Sequence, residues 1–254
     1  MCTMNTSAPV IALDTPAALD AARVGRKAAN LAAARAAGLP VAPGVVLTAD
    51  WSSDDTATAI QVWRIISHDG ARSLVVRPSA AGRDRRRSAA ATGAIEAATV
   101  VDDADTMLSA ISALRARDAI TPVLVQPHVP GVWRGVLFAD DAGGGWRARP
   151  LVVAAEPTSI DCQWVAELDH TGRVRDLLSG GDLVGPGSHL LARVARVAEK
   201  VAAAFNGPHD IEWVIADDGR VQLLRVRPVV RLHSTSGGRE EVPAAPRELL
   251  GSAA

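Results

Sequence analysis

The sequence contains no tyrosine and only two cysteines, and aromatic residues make up just 3% of it. Cys2 and Cys162 are too few for a disulfide framework or a thiolate zinc site, so we expect Cys162 to pack as a small hydrophobic residue. No apolar run approaches the roughly 18 residues of a membrane span, and the first residues lack the charged and apolar regions of a signal peptide. We therefore expect a cytoplasmic protein that does not enter a membrane.

Positive charge is not in excess either, because the formal net charge is −1 at pH 7. Proteins that bind nucleic acid generally carry a basic excess, so nucleic acid is not an expected partner. A chain of 254 residues with 48% hydrophobic content is long and apolar enough to bury a core. These values predict a globular protein of one large domain or two small ones.

Lysine is scarce, since Lys27 and Lys200 are the only two among 27 basic residues. Lys200 falls in a long amphipathic pattern over residues 188–205 and is expected on its solvated face. Lys27 follows Gly25 and begins an alanine-rich helix that Gly38 closes. A compact ammonium group at a helix N-terminus suits a phosphate, whereas the alternative is an ordinary surface lysine.

The stretch HDIEWVIADDGRVQLLRVRPVV, residues 209–230, predicts a β-hairpin turning at Asp218 and Gly219. The predicted cross-strand pairs are Asp217 with Arg220, Val214 with Leu223, Glu212 with Arg225, and Asp210 with Arg227. Alternation of side chains then gives a core face, made of Ile211, Trp213, Ile215, Leu224 and Val226. The other face is charged, and it is either a solvated surface with two ion pairs or part of a site.

Periodicity along the chain predicts a mixture of helices and mostly antiparallel strands. Strands are expected over residues 8–13, 43–49 and 73–78, and helices over 16–24, 27–37, 55–67 and 103–117. Paired strands, the long helix and the hairpin follow in the second half. We expect an α+β protein with subdomains at residues 1–116 and 117–233, and a disordered tail at 234–254 that is rich in Gly, Ser, Pro and charge.

Four segments together resemble a known family. VGRKAANLAAARAAGLPVAPGVVLT, VVRPSAAGRD, VLVQPHVPGVWRGVLFADD and DIEWVIADDGRVQLLRVRP occur in this order between residues 24 and 230. They are similar to the ATP-binding domain shared by phosphoenolpyruvate synthase, pyruvate phosphate dikinase and rifampicin phosphotransferase. The resemblance implies an ATP-grasp fold, in which two α+β subdomains sandwich the nucleotide. It also implies transfer of a phosphoryl group from ATP to a histidine on a separate swivelling domain.

The resemblance assigns expected roles to individual residues. The phosphate-binding lysine and arginine of the family correspond to Lys27 and Arg77, and the arginine of the family's Gln-x-Arg-Pro ending corresponds to Arg227, which we also expect to hold the phosphates. The mobile glycine loop corresponds to residues 88–96, with Gly93 the best match. The strand beside the adenine corresponds to residues 124–129, around Gln126 and including His128. A metal-binding glutamate corresponds to Glu212, so the resemblance implies that ATP binds together with Mg²⁺.

The sequence departs from the family pattern at several of these motifs. Gly25-Arg26-Lys27-Ala28 replaces Gly-Gly-Lys-Gly, Arg83 replaces an acid, and DRRRSAAATGA replaces a loop that ends in Gly-Gln. The second metal ligand of the family, a glutamine, is here Arg225. In the predicted register its guanidinium faces Glu212, where we expect it to neutralise the carboxylate and to compete with Mg²⁺.

The sequence has no equivalent of the swivelling domain's Thr-Gly-Gly and catalytic histidine, and His189 is expected at a helix start. One hypothesis is therefore an ATP-binding enzyme component whose phosphohistidine lies on a separate partner protein, as in phenylphosphate synthase. The other is a degenerate nucleotide-binding or scaffolding protein that has lost transfer. An ATP-dependent ligase on the same fold is a third possibility without a specific residue in its favour.

Overall fold

A computed structural model of the chain describes residues 8–52, 54–79, 98–131, 133–141, 146–154, 163–180, 185–205 and 209–228. The described helices are α1 (Ala21–Ala36), α2 (Thr56–Ser67), α3 (Ala104–Arg117) and α4 (Ser188–Phe205), preceded by a 3-10 turn at Pro16–Leu19. The described strands are β1 (Val10–Ala12), β2 (Val45–Leu47), β3 (Leu74–Pro78), β4 (Thr99–Val101), β5 (Val123–Pro127), β6 (Trp133–Asp141), β7 (Trp146–Ala154), β8 (Gln163–Leu168), β9 (Val174–Ser179), β10 (His209–Ile215) and β11 (Val221–Pro228). The predicted tail at 234–254 and the predicted glycine loop at 88–96 lie outside the described residues. Among the described helices, none is both long and apolar enough to cross a membrane.

The first sheet has five strands in the order β1-β2-β5-β3-β4, and every pair is antiparallel. One of its faces is covered by α2 and α3. Their apolar residues form a buried cluster with this face, which includes Leu74, Val76 and Val123. Asp55 and Asp103 begin the two helices by accepting backbone hydrogen bonds from Thr58 and Thr106, as N-cap residues do.

The second sheet has six antiparallel strands in the order β11-β10-β6-β7-β8-β9. Along β10, Ile211, Trp213 and Ile215 point to one face and are almost fully buried. They share an apolar cluster with residues of α1 and α4, such as Leu31 and Val194. This cluster includes residues of both sheets, so it joins the first half of the chain to the second.

Sheet membership shows where the chain passes from one half to the other. Strand β5 lies in the middle of the first sheet and β6 in the second, so the chain passes from one sheet to the other between Pro127 and Trp133. Gly131 is part of this passage and lies directly against β10. A Cβ at Gly131 would collide with the Ile215 carbonyl oxygen. The division into two subdomains remains a prediction.

The β10 and β11 hairpin confirms the predicted register for its charged residues. Asp210 lies opposite Arg227, and Glu212 lies opposite Arg225. Nearer the turn the observed pairs are Trp213 with Leu223, Val214 with Gln222, and Ile215 with Val221. The expected pairing of Val214 with Leu223 is therefore wrong.

The turn explains this difference. Ala216 N donates to Arg220 O at 2.9 Å, and Gly219 N donates to Ala216 O at 2.8 Å, so the loop has three residues, 217–219. The expected pairing of Asp217 with Arg220 across a two-residue loop is wrong. Gly219 has φ 74°, the left-handed conformation that closes a three-residue hairpin loop.

A β-bulge corrects the register farther along the hairpin. It lies between Glu212 and Trp213 on β10 and places Leu224 as the extra residue on β11. Leu223 is therefore the buried partner of Trp213, whereas Leu224, which was expected on the core face, has no cross-strand partner and is only partly buried. The extra residue cancels the shift made by the longer loop, so both predicted ion pairs keep their positions.

Candidate functional site

The N-terminal part of α1 bends at Gly25 and packs against the end of β3. Gly25 has φ 78° and ψ 157°, which separates two helical stretches at the position that the sequence predicts. A Cβ there would overlap the Ser79 carbonyl oxygen. Beyond the bend, Ala28 N donates to the Ser79 hydroxyl at 3.0 Å. Lys27, which is partly buried, therefore lies in the first turn of a helical stretch fixed against β3.

Arg77 connects the first sheet to the second. On β3 it pairs with Leu124, while Val75 pairs with Gln126, so Arg77 and Gln126 share the sheet face turned away from α2 and α3. Arg77 is 8% exposed. Its Nη1 donates to the carbonyl oxygen of Leu224, the bulged residue of β11, at 3.2 Å.

Helix α1 and the chain that follows it also bind the backbone of β11. Asn30 Nδ2 donates to Val226 O at 2.9 Å. Leu223 N donates to Pro40 O at 2.7 Å. Together with the Arg77 bond, these contacts hold β11 at the amide of Leu223 and at the carbonyl oxygens of Leu224 and Val226. We call residues 224–227 of β11, with the contacting residues of α1 and β3, the β11 seam.

Two ion pairs join the arginines of the β11 seam to carboxylates on the charged face of β10. Arg225 Nη1 lies 2.9 Å from Glu212 Oε1, and both side chains are mostly buried, with 16% and 17% of their surface exposed. Arg227 bonds Asp210 Oδ2 through Nη2 at 2.5 Å and through Nε at 3.2 Å. Burial raises the pKa of the Asp210 carboxyl, while the hydrogen bond and charge of Arg227 act in the opposite direction. Each carboxylate thus has its own guanidinium.

These carboxylates do not fit a magnesium site as they are arranged. Mg²⁺ requires oxygen ligands in a near-octahedral shell, whereas Glu212 and Asp210 are each bonded to an arginine that would repel a cation. Within the described ranges, no group of three or more His, Cys, Asp and Glu residues could hold a metal ion. The metal role of Glu212 remains a prediction that this geometry does not favour.

The residues expected near the adenine lie on β5 and just after it. Gln126 is buried, and its Nε2 donates to Ala42 O at 3.0 Å. His128 Nε2 lies 2.7 Å from Arg134 Nη2, and the same nitrogen of Arg134 donates to Val129 O at 3.1 Å. Burial lowers the pKa of His128, and the positive charges of Arg134 and Arg77 lower it further. His128 is therefore suited to accept a hydrogen bond from Arg134 in its neutral form.

The structure brings some of the predicted site residues together and separates others. Arg77, Glu212, Arg225 and Arg227 belong to or border the β11 seam, and Lys27 lies three residues before Asn30 on α1. The amide nitrogen of Gln126 bonds the loop before β2 instead. Gly93 lies outside the described residues. Their expected roles in binding remain predictions.

Sequence reasoning missed three residues that build this region. Asn30 is a lone amide in an alanine-rich helix, Ser79 follows Arg77 by two residues, and Arg134 is the second residue of β6. The isolated polar character of Asn30 is a signal that could have been used. Nothing local to Ser79 predicts its partner, because Ala28 lies 51 residues away; Arg134 lies close to His128 in sequence, but no motif marks the two as partners.

Comparison with known proteins defines the fold. No protein-family profile and no curated protein sequence matches the chain, whereas solved structures do. A N5-carboxyaminoimidazole synthase from Aspergillus clavatus, in complex with ADP and 5-aminoimidazole ribonucleotide, matches with a TM-score of 0.54 at 15% identity. The D-alanine-D-alanine ligase from Coxiella burnetii matches with a TM-score of 0.51 at 12% identity. A D-alanyl-alanine synthetase A from Vibrio cholerae matches with a TM-score of 0.50 at 16% identity.

The chain has an α+β ATP-grasp fold, as the sequence predicts. The matches cover 82%, 80% and 88% of this chain but only 45%, 47% and 60% of the other three. The chain therefore spans about half the length of the enzymes that it resembles in structure. The narrower resemblance to phosphoenolpyruvate synthase and its relatives remains a prediction.

Proposed function

We propose that the chain binds ATP at the β11 seam, with the triphosphate against the cationic residues of β11, β3 and α1. The observation that carries the proposal is the attachment of β11 to both other elements, through Arg77 to Leu224 O and through Asn30 to Val226 O. These contacts bring Arg77 of the first sheet to β11, which carries two further arginines, Arg225 and Arg227. Lys27 stands one helical turn from Asn30.

The charges at the β11 seam suit a polyphosphate. Arg77, Arg225 and Arg227 contribute three positive charges, Lys27 on α1 adds a fourth one helical turn from Asn30, and Asp210 and Glu212 contribute two negative ones. The site as a whole is therefore cationic, although the complete chain carries a net charge of −1. Charge-assisted hydrogen bonds from lysine and arginine are the usual means of holding phosphates. Their burial strengthens the interaction because water screens it less.

We further propose that the protein is the ATP-binding component of a phosphotransfer system with its phosphohistidine on a separate protein. Support comes from the resemblance, in which Lys27 and Arg77 match phosphate-binding residues of the family and Arg227 matches the arginine of its Gln-x-Arg-Pro ending. The chemistry would consist of positioning the nucleotide and neutralising its charge, while the partner's histidine nitrogen bonds a phosphorus atom of ATP, the bridging P–O bond breaks and the remaining nucleotide leaves. Label transferred from ATP to a histidine of a co-purified partner would support this step. ATP binding without any transfer would favour the degenerate nucleotide-binding protein.

The test of ATP binding is isothermal titration of the purified chain with ATP. If Lys27 contacts the phosphates, Lys27→Ala should weaken binding by roughly 1.5–3 kcal/mol, or about 10- to 150-fold in Kd, the range for a hydrogen bond to a charged group. Thermal unfolding should show that the variant remains folded.

Lys200→Ala is the matched control, because Lys200 is the other lysine and lies exposed on α4. It should leave the Kd for ATP unchanged. An unaltered Kd in Lys27→Ala would contradict the assignment of Lys27, and no heat of binding with the unmodified protein would contradict the proposed function itself.

A further inference from the structure

We propose that this site binds its nucleotide as the metal-free anion, with the Arg225 guanidinium taking the place of a divalent cation. The inference rests on the proposed function and names the form of the ligand. The structural basis is the pair between Arg225 Nη1 and Glu212 Oε1, 2.9 Å apart and mostly buried. This pair holds the positive charge of Arg225 against the Glu212 carboxylate, which a metal ion would need as a ligand.

The second pair prevents the neighbouring carboxylate from serving instead. Asp210 lies two residues before Glu212 on the same face of β10, and Arg227 holds it through two nitrogens. A metal ion at either carboxylate would have to displace a guanidinium. The displaced group would remain beside the metal as a like charge, in a place with little water to screen it.

The backbone contacts of β11 keep Arg225 in position. Its neighbours on both sides are anchored, Leu224 O by Arg77 and Val226 O by Asn30. The Cα of Arg225 therefore cannot withdraw from the seam without breaking bonds to two other elements. A guanidinium has five N–H donors in a planar fork, so one edge can bond a carboxylate while another bonds a phosphate.

The ligand's charge leads to the same expectation. ATP without a metal carries more negative charge than its magnesium complex, and a site with an excess of positive charge attracts the more negative form more strongly. A site built around Mg²⁺ behaves in the opposite way, because its carboxylates repel the free nucleotide.

The experiment is titration of the complete chain with ATP in EDTA and, separately, in excess MgCl₂. We expect the Kd in EDTA to be equal to or lower than the Kd in MgCl₂. Arg225→Gln should reverse this order, since it releases Glu212 and supplies a second oxygen ligand, so that Mg²⁺ tightens ATP binding several-fold. Arg220→Gln is the control: Arg220 lies in the same hairpin, is 80% exposed, and should leave the wild-type pattern unchanged.

Each outcome bears on the inference. Ten-fold or tighter binding of ATP by the unmodified protein in MgCl₂ than in EDTA would overturn it while leaving the proposed function intact. The absence of ATP binding in both solutions would overturn the proposed function and this inference together. The wild-type comparison decides the question even if Arg225→Gln fails to fold, which circular dichroism would reveal.

Discussion

Replacing Gly25 with alanine should be among the most damaging single-methyl changes in this chain. The backbone at Gly25, with φ 78° and ψ 157°, lies in a region that is essentially restricted to glycine, and other residues there cost about 1–3 kcal/mol. The added Cβ would also overlap the Ser79 carbonyl oxygen, so α1 and β3 must separate. Separation breaks the hydrogen bond from Ala28 N to the Ser79 hydroxyl, which contributes about 0.5–1.5 kcal/mol. We expect a total loss of about 2–4 kcal/mol in the free energy of unfolding.

Urea denaturation followed by circular dichroism measures this loss, provided that the m-value is unchanged. Gly38→Ala is a matched control, because Gly38 has φ +73° and a methyl group added there would meet no other atom within 4 Å. It should therefore show only the strain of the left-handed conformation, about 1–2 kcal/mol. Gly25→Ala should also weaken ATP binding, since Lys27 moves with α1, whereas Gly38→Ala should not. Equal losses of stability in the two variants would refute the reasoning that contact with Ser79 adds to the cost of backbone strain.

Two further predictions concern α3 and the passage between the sheets. Asp103→Ala should lower the free energy of unfolding by about 1 kcal/mol, because the Asp103 carboxylate caps α3 at Thr106 N; exposed Asp54→Ala should change it by less than about 0.5 kcal/mol. Burial and the charge of Arg134 hold the pKa of His128 below its usual value. The unfolded chain therefore binds a proton at His128 more readily than the folded protein does. The contribution of His128 to stability is complete above the unfolded pKa of about 6.5 and decreases as the pH falls below that value. Urea denaturation at pH 7.5 and 5.5 should show a smaller pH dependence in His128→Gln, and an equal dependence in both proteins would contradict this reasoning.

The charged side of the hairpin was predictable because its signal is local. Acids and arginines alternate at spacing two on either side of Asp218 and Gly219, so any hairpin in that register sets Glu212 against Arg225. The three-residue loop and the bulge were not predictable. Each moves the pairing by one residue, and the alternation of side chains on one strand does not reveal an extra residue on the other.

The ATP-grasp fold was also predictable, since short motifs spread along the chain in a fixed order carried the resemblance. The partners of the site residues were not. Arg77 bonds a carbonyl oxygen on β11, and Asn30 bonds another. A carbonyl oxygen belongs to every residue, so no residue type in the sequence marks it as a partner. Only the packing of α1 and β3 on the second sheet selects Leu224 and Val226.

The attachment of β11 to α1 and β3 also determines when the site can exist. The bonds that fix it join residues 147 and 196 positions apart, so they can form only after most of the chain has been synthesised, and closing such long loops costs entropy. During synthesis, α1 and β3 leave the ribosome long before the strand that completes their surroundings. The cationic cluster is therefore a property of the completed fold, and a fragment that ends before Val221 would retain Lys27 and Arg77 without forming it.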